Sequence, residues 1–184
     1  MLDPSLLPLA DDRVVLRRLT DADAPAFAAG SADAAVREYA HLPEPEYTAE
    51  SVRAMIAAVT DPMLDRGELA VLSLARRDSN AFAGSLVLFD VLNDRAEVGF
   101  WLHPDARGAG RAVAALALAA RFAAGSGLTC LTARTALDNS ASQRTLEAGG
   151  FARIGDSEGT TPSGQRMVSL HYELSLDSPA KPAP

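Results

Sequence analysis

The sequence predicts an α+β fold in which a mostly antiparallel sheet contains one βαβ step. Three observations lead there. Leu69–Ala75 and Ala81–Phe89 are apolar runs separated by Ser79 and Asn80, the pattern of a hairpin. Ala96–Leu102 alternates, with Ala96, Val98, Phe100 and Leu102 on one face and Glu97, Gly99 and Trp101 on the other. A glycine-rich turn, an apolar helix to about Ala124 and a buried strand over Leu128–Thr135 follow, an order that requires a crossover.

The remaining elements fit around this core. Val14–Leu19 reads as a strand, and Thr20 with Asp21 and Asp23 opens a helix through Phe27. A second helix starts near Thr48, carries Val52, Met55, Ile56 and Val59 at helical spacing, and is expected to end at Asp61 and Pro62. A third runs from about Ser140 to Ala148 and stops at Gly149 and Gly150, before two closing strands. The chain of 184 residues, 48% hydrophobic, suffices for one core and is short for two. A single domain is expected over residues 1–177, with a disordered Pro/Ala-rich tail over 178–184.

Composition excludes several classes. No apolar run reaches the length of a membrane span, and Met1–Ala10 has no basic residue before its leucines, so a cytoplasmic protein without a secretory leader is expected. One cysteine, Cys130, sits in an apolar run and reads as core, while His41, His103 and His171 lack metal-ligand spacing. No metal is expected. Net charge is −7, and the cations are arginines apart from Lys181, without a basic stripe for nucleic acid.

The chemistry concentrates in Leu102-His103-Pro104-Asp105-Ala106-Arg107-Gly108-Ala109-Gly110-Arg111-Ala112. Two glycines and two arginines meet a helix start, where free amides and the positive end of the helix dipole suit a phosphate. A plain strand-to-helix turn with solvated arginines has the same letters. A nucleoside triphosphate loop would need Gly-Lys-Ser/Thr, and a dinucleotide loop a complete G-x-G-x-x-G; neither is present.

Arg107-x-x-Gly110-x-Ala112 resembles the Gln/Arg-x-x-Gly-x-Gly/Ala pyrophosphate motif of the Gcn5-related N-acetyltransferases (GNAT). Glu97-Val-Gly-Phe-Trp-Leu-His-Pro-Asp-Ala-Arg-Gly, Asp138-Asn139-Ser140-Ala141-Ser142 and Gly150-Phe151 resemble the RimJ/RimL branch, which acetylates ribosomal-protein N-termini; the likeness spans about Val14 to Leu176. It implies a GNAT fold, with a central mixed, mostly antiparallel sheet of about seven strands and about four flanking helices. A splayed strand pair would hold acetyl-CoA. By this resemblance the backbone of Phe100, Trp101 and Leu102 faces the pantetheine, and that of Arg107, Gly108, Ala109, Gly110, Arg111 and Ala112 wraps the pyrophosphate. Asn139 and Ser142 would line the pantetheine end, and Arg144 reach a CoA phosphate. Asn139 also suits a helix cap, and Arg144 a solvated surface.

Transfer to an amine needs a proton acceptor, an oxyanion donor and a proton for the leaving thiolate. Glu97 is the first candidate base, since the Trp101 face favours either desolvation of its carboxylate or an ion pair with an arginine; Glu158 and Asp90 are the alternatives. A backbone amide near Trp101 or Leu102 serves the oxyanion. Many relatives place a tyrosine acid seven residues after the asparagine, where this chain has Leu146; the RimJ/RimL branch points to a serine, here Ser142. His41, Glu44, Glu46 and Tyr47 form a polar cluster on the expected acceptor side, more simply read as a solvated loop. Cys130 is misplaced for a covalent intermediate and no nucleophile is paired with a base, so direct attack in a ternary complex on a protein N-terminus or small-molecule amine is expected, with a homodimer left open. A catalytically silent acyl-CoA-binding module is the alternative, and a protein-interaction domain without CoA binding is a third.

Overall fold

The computed structural model describes residues 1–40, 42–160 and 166–176. Its sheet has eight strands: β1 (Leu9–Ala10), β2 (Val14–Arg18), β3 (Ala70–Arg76), β4 (Phe82–Leu92), β5 (Arg95–Leu102), β6 (Cys130–Ala136), β7 (Ala152–Thr160) and β8 (Arg166–Ser175). They lie in the order β1-β2-β3-β4-β5-β6-β8-β7. The β5/β6 pair is parallel and every other neighbour antiparallel. The mixed sheet and its βαβ step match the α+β expectation. The eighth strand is the two-residue β1, too short to show a period.

Helix α5 (Arg111–Gly125) crosses from β5 to β6 and packs with α6 (Ser140–Ala148) on one sheet face. Alanines at 114, 115, 119 and 123 let α5 approach closely, while Leu116, Leu118 and Phe122 interdigitate with Leu72, Leu86, Val98 and Leu131. The opposite face carries α1 (Ala24–Ser31), α2 (Ala34–Tyr39) and α3 (Ala49–Met55), while Leu64 of α4 (Asp61–Asp65) is buried in the first core. Trp101 of β5 anchors that side, edge-on to Phe27 at 5.2 Å and tilted against Phe82 at 5.7 Å. The alternation of β5 thus serves both cores at once.

Two helix expectations need correction. The helix opened by Thr48 does not end at Pro62: α3 passes through a π turn (Ile56–Thr60) into α4. The wider turn interrupts the i→i−4 ladder, so Pro62 enters the first turn of α4, where its missing N–H costs no bond. The run closes at Gly67, left-handed at φ 70°, whose N–H donates to Leu64. The expected helix from Thr20 is a short 3-10 turn (Asp21–Asp23) leading into α1, and α2, absent from the sequence reading, begins at Asp33, whose carboxylate caps Val36 N–H. Counting α3 and α4 as one run, five helices flank the sheet among the described residues, against the four expected.

Asp23 locks the start of α1 to β2. Its two oxygens accept from Arg17 Nη1 and Nη2 at 2.7 and 2.8 Å, and from the Thr20 amide at 2.9 Å. The carboxylate is 4% exposed and the guanidinium 16%. Burial works against ionisation, but the Arg17 and Thr20 bonds outweigh it and hold the Asp23 pKa below its ordinary value. A recess of about 480 Å3 opens beside this pair, lined also by Asn80 and Phe82. Its charges are spent on each other, so it is an architectural feature of the α1 side. The expected tail, 178–184, lies outside the described residues.

Candidate functional site

The parallel pair does not stay paired. Register runs Arg95↔Cys130, Ala96↔Leu131 and Glu97↔Thr132 and then stops, although β5 continues to Leu102 and β6 to Ala136. Beyond Glu97, β5 keeps β4 as its partner and β6 keeps β8. The two strands therefore splay, leaving backbone polar groups of Val98–Leu102 without a ladder partner on the β6 side. Gly84 permits the close approach of β4 at this end, since a side chain there would collide with the Trp101 carbonyl.

The splay opens onto the loop singled out by its glycines. Pro104–Ala106 forms a 3-10 turn, Gly108 and Gly110 are left-handed at φ 82° and 68°, and Gly110 is the N-cap of α5. Glycine supplies no capping oxygen, so the first amides of α5, at Arg111, Ala112 and Val113, have neither an intrahelical nor a side-chain acceptor. Gly108, Ala109 and Gly110 are exposed, while Ala106 beneath them is buried. This is an anion-receptive helix start reached from the splay.

The arginines behave differently from their letters. Arg107 turns its guanidinium away from the α5 amides, to Asp33 Oδ1 at 2.5 Å and the Leu102 carbonyl at 3.4 Å, so only its backbone remains for the loop. Asp33 already caps α2, and the Arg107 bonds help to hold its carboxyl below the usual range. The ion pair therefore fastens the loop to the α1–α2 junction. Gly30 seals the same contact, because a Cβ there would strike Trp101 and His103. Arg111 donates from Nη1 to the Ala106 carbonyl at 3.1 Å.

Glu97 stands where the splay begins. Arg134 Nε donates to both of its oxygens at 2.8 and 3.0 Å, with the carboxylate 15% exposed and the guanidinium 51%. Of the two arrangements the sequence allows, the structure has the ion pair. The Glu97 bonds raise the Arg134 pKa despite partial burial, and Asp90, on a left-handed residue of the β4 bulge, adds to the same field. Glu158 is exposed on β7, with β6 and β8 between it and β5.

Across the splay, Asn139 caps α6: its Oδ1 accepts from Ser142 N–H at 3.1 Å. Its amide nitrogen remains a donor. Ser142 is half-buried in the first turn, Arg144 is exposed, and Leu146 is buried in the core, where no proton donor is available. Tyr39, the last residue of α2, feels Asp138; burial first, and then that charge, push its phenol up. Tyr39 at the end of α2 and Asp138 before α6 thus lie within electrostatic reach of each other. Tyr47 packs edge-on to Phe27 at 5.4 Å, which makes it part of the α1 core, whereas Glu44 and Glu46 are exposed and His41 lies outside the described residues. Cys130 is buried, with its thiol pushed up chiefly by burial.

The structure thus brings Glu97, the Phe100–Leu102 backbone, the Arg107–Ala112 loop and the Asn139–Ser142 turn around one opening. Sequence reasoning missed Arg134 and Asp33, which pair with site residues from 37 and 74 positions away. No short-range pattern announces such partners. Among the described residues no cluster has metal-ligand composition, and no helix is long and apolar enough to cross a membrane.

Residues 13–152 match the model of the acetyltransferase (GNAT) domain. Known structures share the architecture. Mycobacterium smegmatis RimJ in complex with CoA-disulfide is 20% identical, with 88% of this chain and 81% of that one covered at a TM-score of 0.80. The ribosomal-protein-S5-alanine acetyltransferase from Vibrio fischeri is 14% identical, with 93% and 97% covered at 0.80. RimL, a ribosomal-protein α-N acetyltransferase, in complex with coenzyme A, is 18% identical, with 93% and 98% covered at 0.79. No curated protein matches the chain by sequence. With a matched segment covering most of the chain, including β2, the splayed pair, the glycine loop and α6, this protein belongs to the GNAT acetyltransferase family.

Proposed function

We propose that this protein transfers the acetyl group of acetyl-CoA to a primary amine, a protein N-terminus or a small-molecule amine, by direct attack within a ternary complex. The observation that carries the reading is the splay, in which the parallel ladder ends at Glu97 while β5 runs on to Leu102 and the α5 amides. A pantetheine arm carries two amides, and an open strand edge is their natural partner. The backbone of Phe100, Trp101 and Leu102 takes the arm and thioester. The loop from Arg107 through Gly108, Ala109, Gly110, Arg111 and Ala112 takes the pyrophosphate on its amides.

Glu97 accepts the amine proton, directly or through water, with Arg134 releasing one carboxylate oxygen to it. A backbone amide at Trp101 or Leu102 supports the tetrahedral oxyanion. Asn139 donates its free amide to the arm while its oxygen caps α6. Ser142, half-buried in that turn, donates a hydrogen bond to the departing thiolate, which takes its proton from solvent, and Arg144 stays at the surface. The Vibrio fischeri and RimL structures are named for ribosomal-protein substrates, and RimL for α-N acetylation, which favours a protein N-terminus over a small-molecule amine.

Isothermal titration with acetyl-CoA, followed in the same sample by thiol release against N-terminal peptides and small amines, tests the reading. Binding with release for one acceptor class is the expected result. Failure to bind acetyl-CoA refutes it, and binding with no release across the panel supports the silent acyl-CoA module instead.

A further inference from the structure

Beside the phosphate loop, on the flank away from β6, the turns before β2 and after β3 place more arginines. The Arg77 amide donates to the Arg13 carbonyl at 3.1 Å, so both side chains issue from one point at that end of the sheet. With Asp12, Asp78, Ala109 and Arg111 they line a recess of about 290 Å3. Arg13 lies against Gly110, in the space a side chain at Gly110 would need.

The charges there are unevenly matched. Asp12 reaches Arg13 at only 3.9 Å, with both exposed. Asp78 accepts from the Ser79 hydroxyl at 3.0 Å, a bond that lowers its pKa. Arg77 is exposed and its side chain has no hydrogen bond or ion pair among the described residues. Three guanidiniums against two carboxylates leave one net positive charge, beside the start of a fifteen-residue helix.

Resting on the acetyl-CoA reading, we infer that Arg13 and Arg77 bind the 3′-phosphate of the cofactor's adenosine, a second anion site beside the loop. The pyrophosphate occupies the α5 amides, so the remaining phosphate must be met elsewhere. As a monoester it approaches two negative charges at neutral pH, and the planar guanidinium fork suits it. The recess adjoins Ala109 and Arg111, within reach of a ribose attached to a pyrophosphate held on those amides. Arg144, on α6, is the competing cation.

Titration of the full chain with CoA and with 3′-dephospho-CoA at low salt separates the possibilities. The expected result is about tenfold tighter binding of CoA by the wild type. The Arg13→Gln/Arg77→Gln variant loses that preference, yet binds dephospho-CoA as the wild type does, which also shows that its fold and loop are intact. Arg77→Gln alone, at an exposed and unpaired side chain, loses part of it, and Arg144→Gln keeps it. Equal wild-type affinity for the two ligands, a preference that survives in the double variant, or its loss in Arg144→Gln overturns the inference while leaving the acetyl-CoA reading standing. If neither ligand binds the wild type, the acetyl-CoA reading itself falls.

Discussion

The two faces of the sheet are built on different physics. On the α5–α6 side, one long alanine-rich helix and a continuous apolar core form a surface that tolerates little rearrangement. On the other side, short helical pieces are pinned by individual polar contacts: Arg17 to Asp23 under α1, and Arg107 to Asp33 at the α1–α2 junction. The proposed cofactor loop opens the long helix of the first, and the Arg107–Asp33 pair ties it to the proposed acceptor wall on the second. Rigidity on one side and separable latches on the other suit an enzyme with one fixed co-substrate and one acceptor to be selected.

Breaking the buried latch tests this division most strongly. Asp23→Ala leaves the largely buried Arg17 guanidinium uncompensated and should cost about 3–5 kcal/mol, measured by urea unfolding. The same pair sets an acid limit. Because the folded pKa of Asp23 lies below its ordinary 3.8, its stabilisation is complete above that value and is lost as pH falls through the folded pKa. Wild-type stability should therefore decline below about pH 4, and Asp23→Asn should flatten that part of the curve.

At the mouth of the splay, Glu97→Gln should lower kcat about a hundredfold, or ~2.7 kcal/mol, without matching loss of acetyl-CoA affinity. An unchanged kcat assigns Glu97 to the Arg134 pair alone. Arg134→Ala is the complementary variant: it frees the carboxylate and should shift the pH profile of kcat rather than abolish activity.

Within the loop, Gly110→Val places a β-branched residue at φ 68° and drives it into Arg13. Acetyl-CoA binding should weaken about tenfold or more, ~1.4 kcal/mol, by titration calorimetry. The smallest effect is expected at the exposed latch. Asp33→Asn keeps the α2 cap but removes the charge that Arg107 grips, so acceptor KM should rise a few-fold with the melting temperature nearly unchanged. A larger rise in acetyl-CoA Kd than in acceptor KM would erase the proposed distinction between the two sides.

Much of the splay and its flanking loop and helix was legible before folding, because the signals there are local. Alternation in β5 sorted Trp101 from Phe100, and Asn139 was readable as the cap of a helix over Ser140–Ala148, where α6 lies. Where reading failed, competing physics was at work. Pro62 broke no helix because a π turn preceded it, and α2 is a six-residue piece with only Val36 buried, too short for a period. Tyr47 looked like part of a polar cluster, but its ring packs on Phe27.

By itself the sequence determined the order of elements, the anion-receptive loop and the residues that alternate through β5, since spacing, glycine and capping act over a few positions. Tertiary structure alone decided which charges are spent and which are available. Glu97 met Arg134, Arg107 met Asp33 instead of the α5 amides, and Arg13 came to rest on Gly110. Such pairings depend on how sheet register and helix docking bring distant residues within about 3 Å, the range over which a hydrogen-bonded ion pair forms.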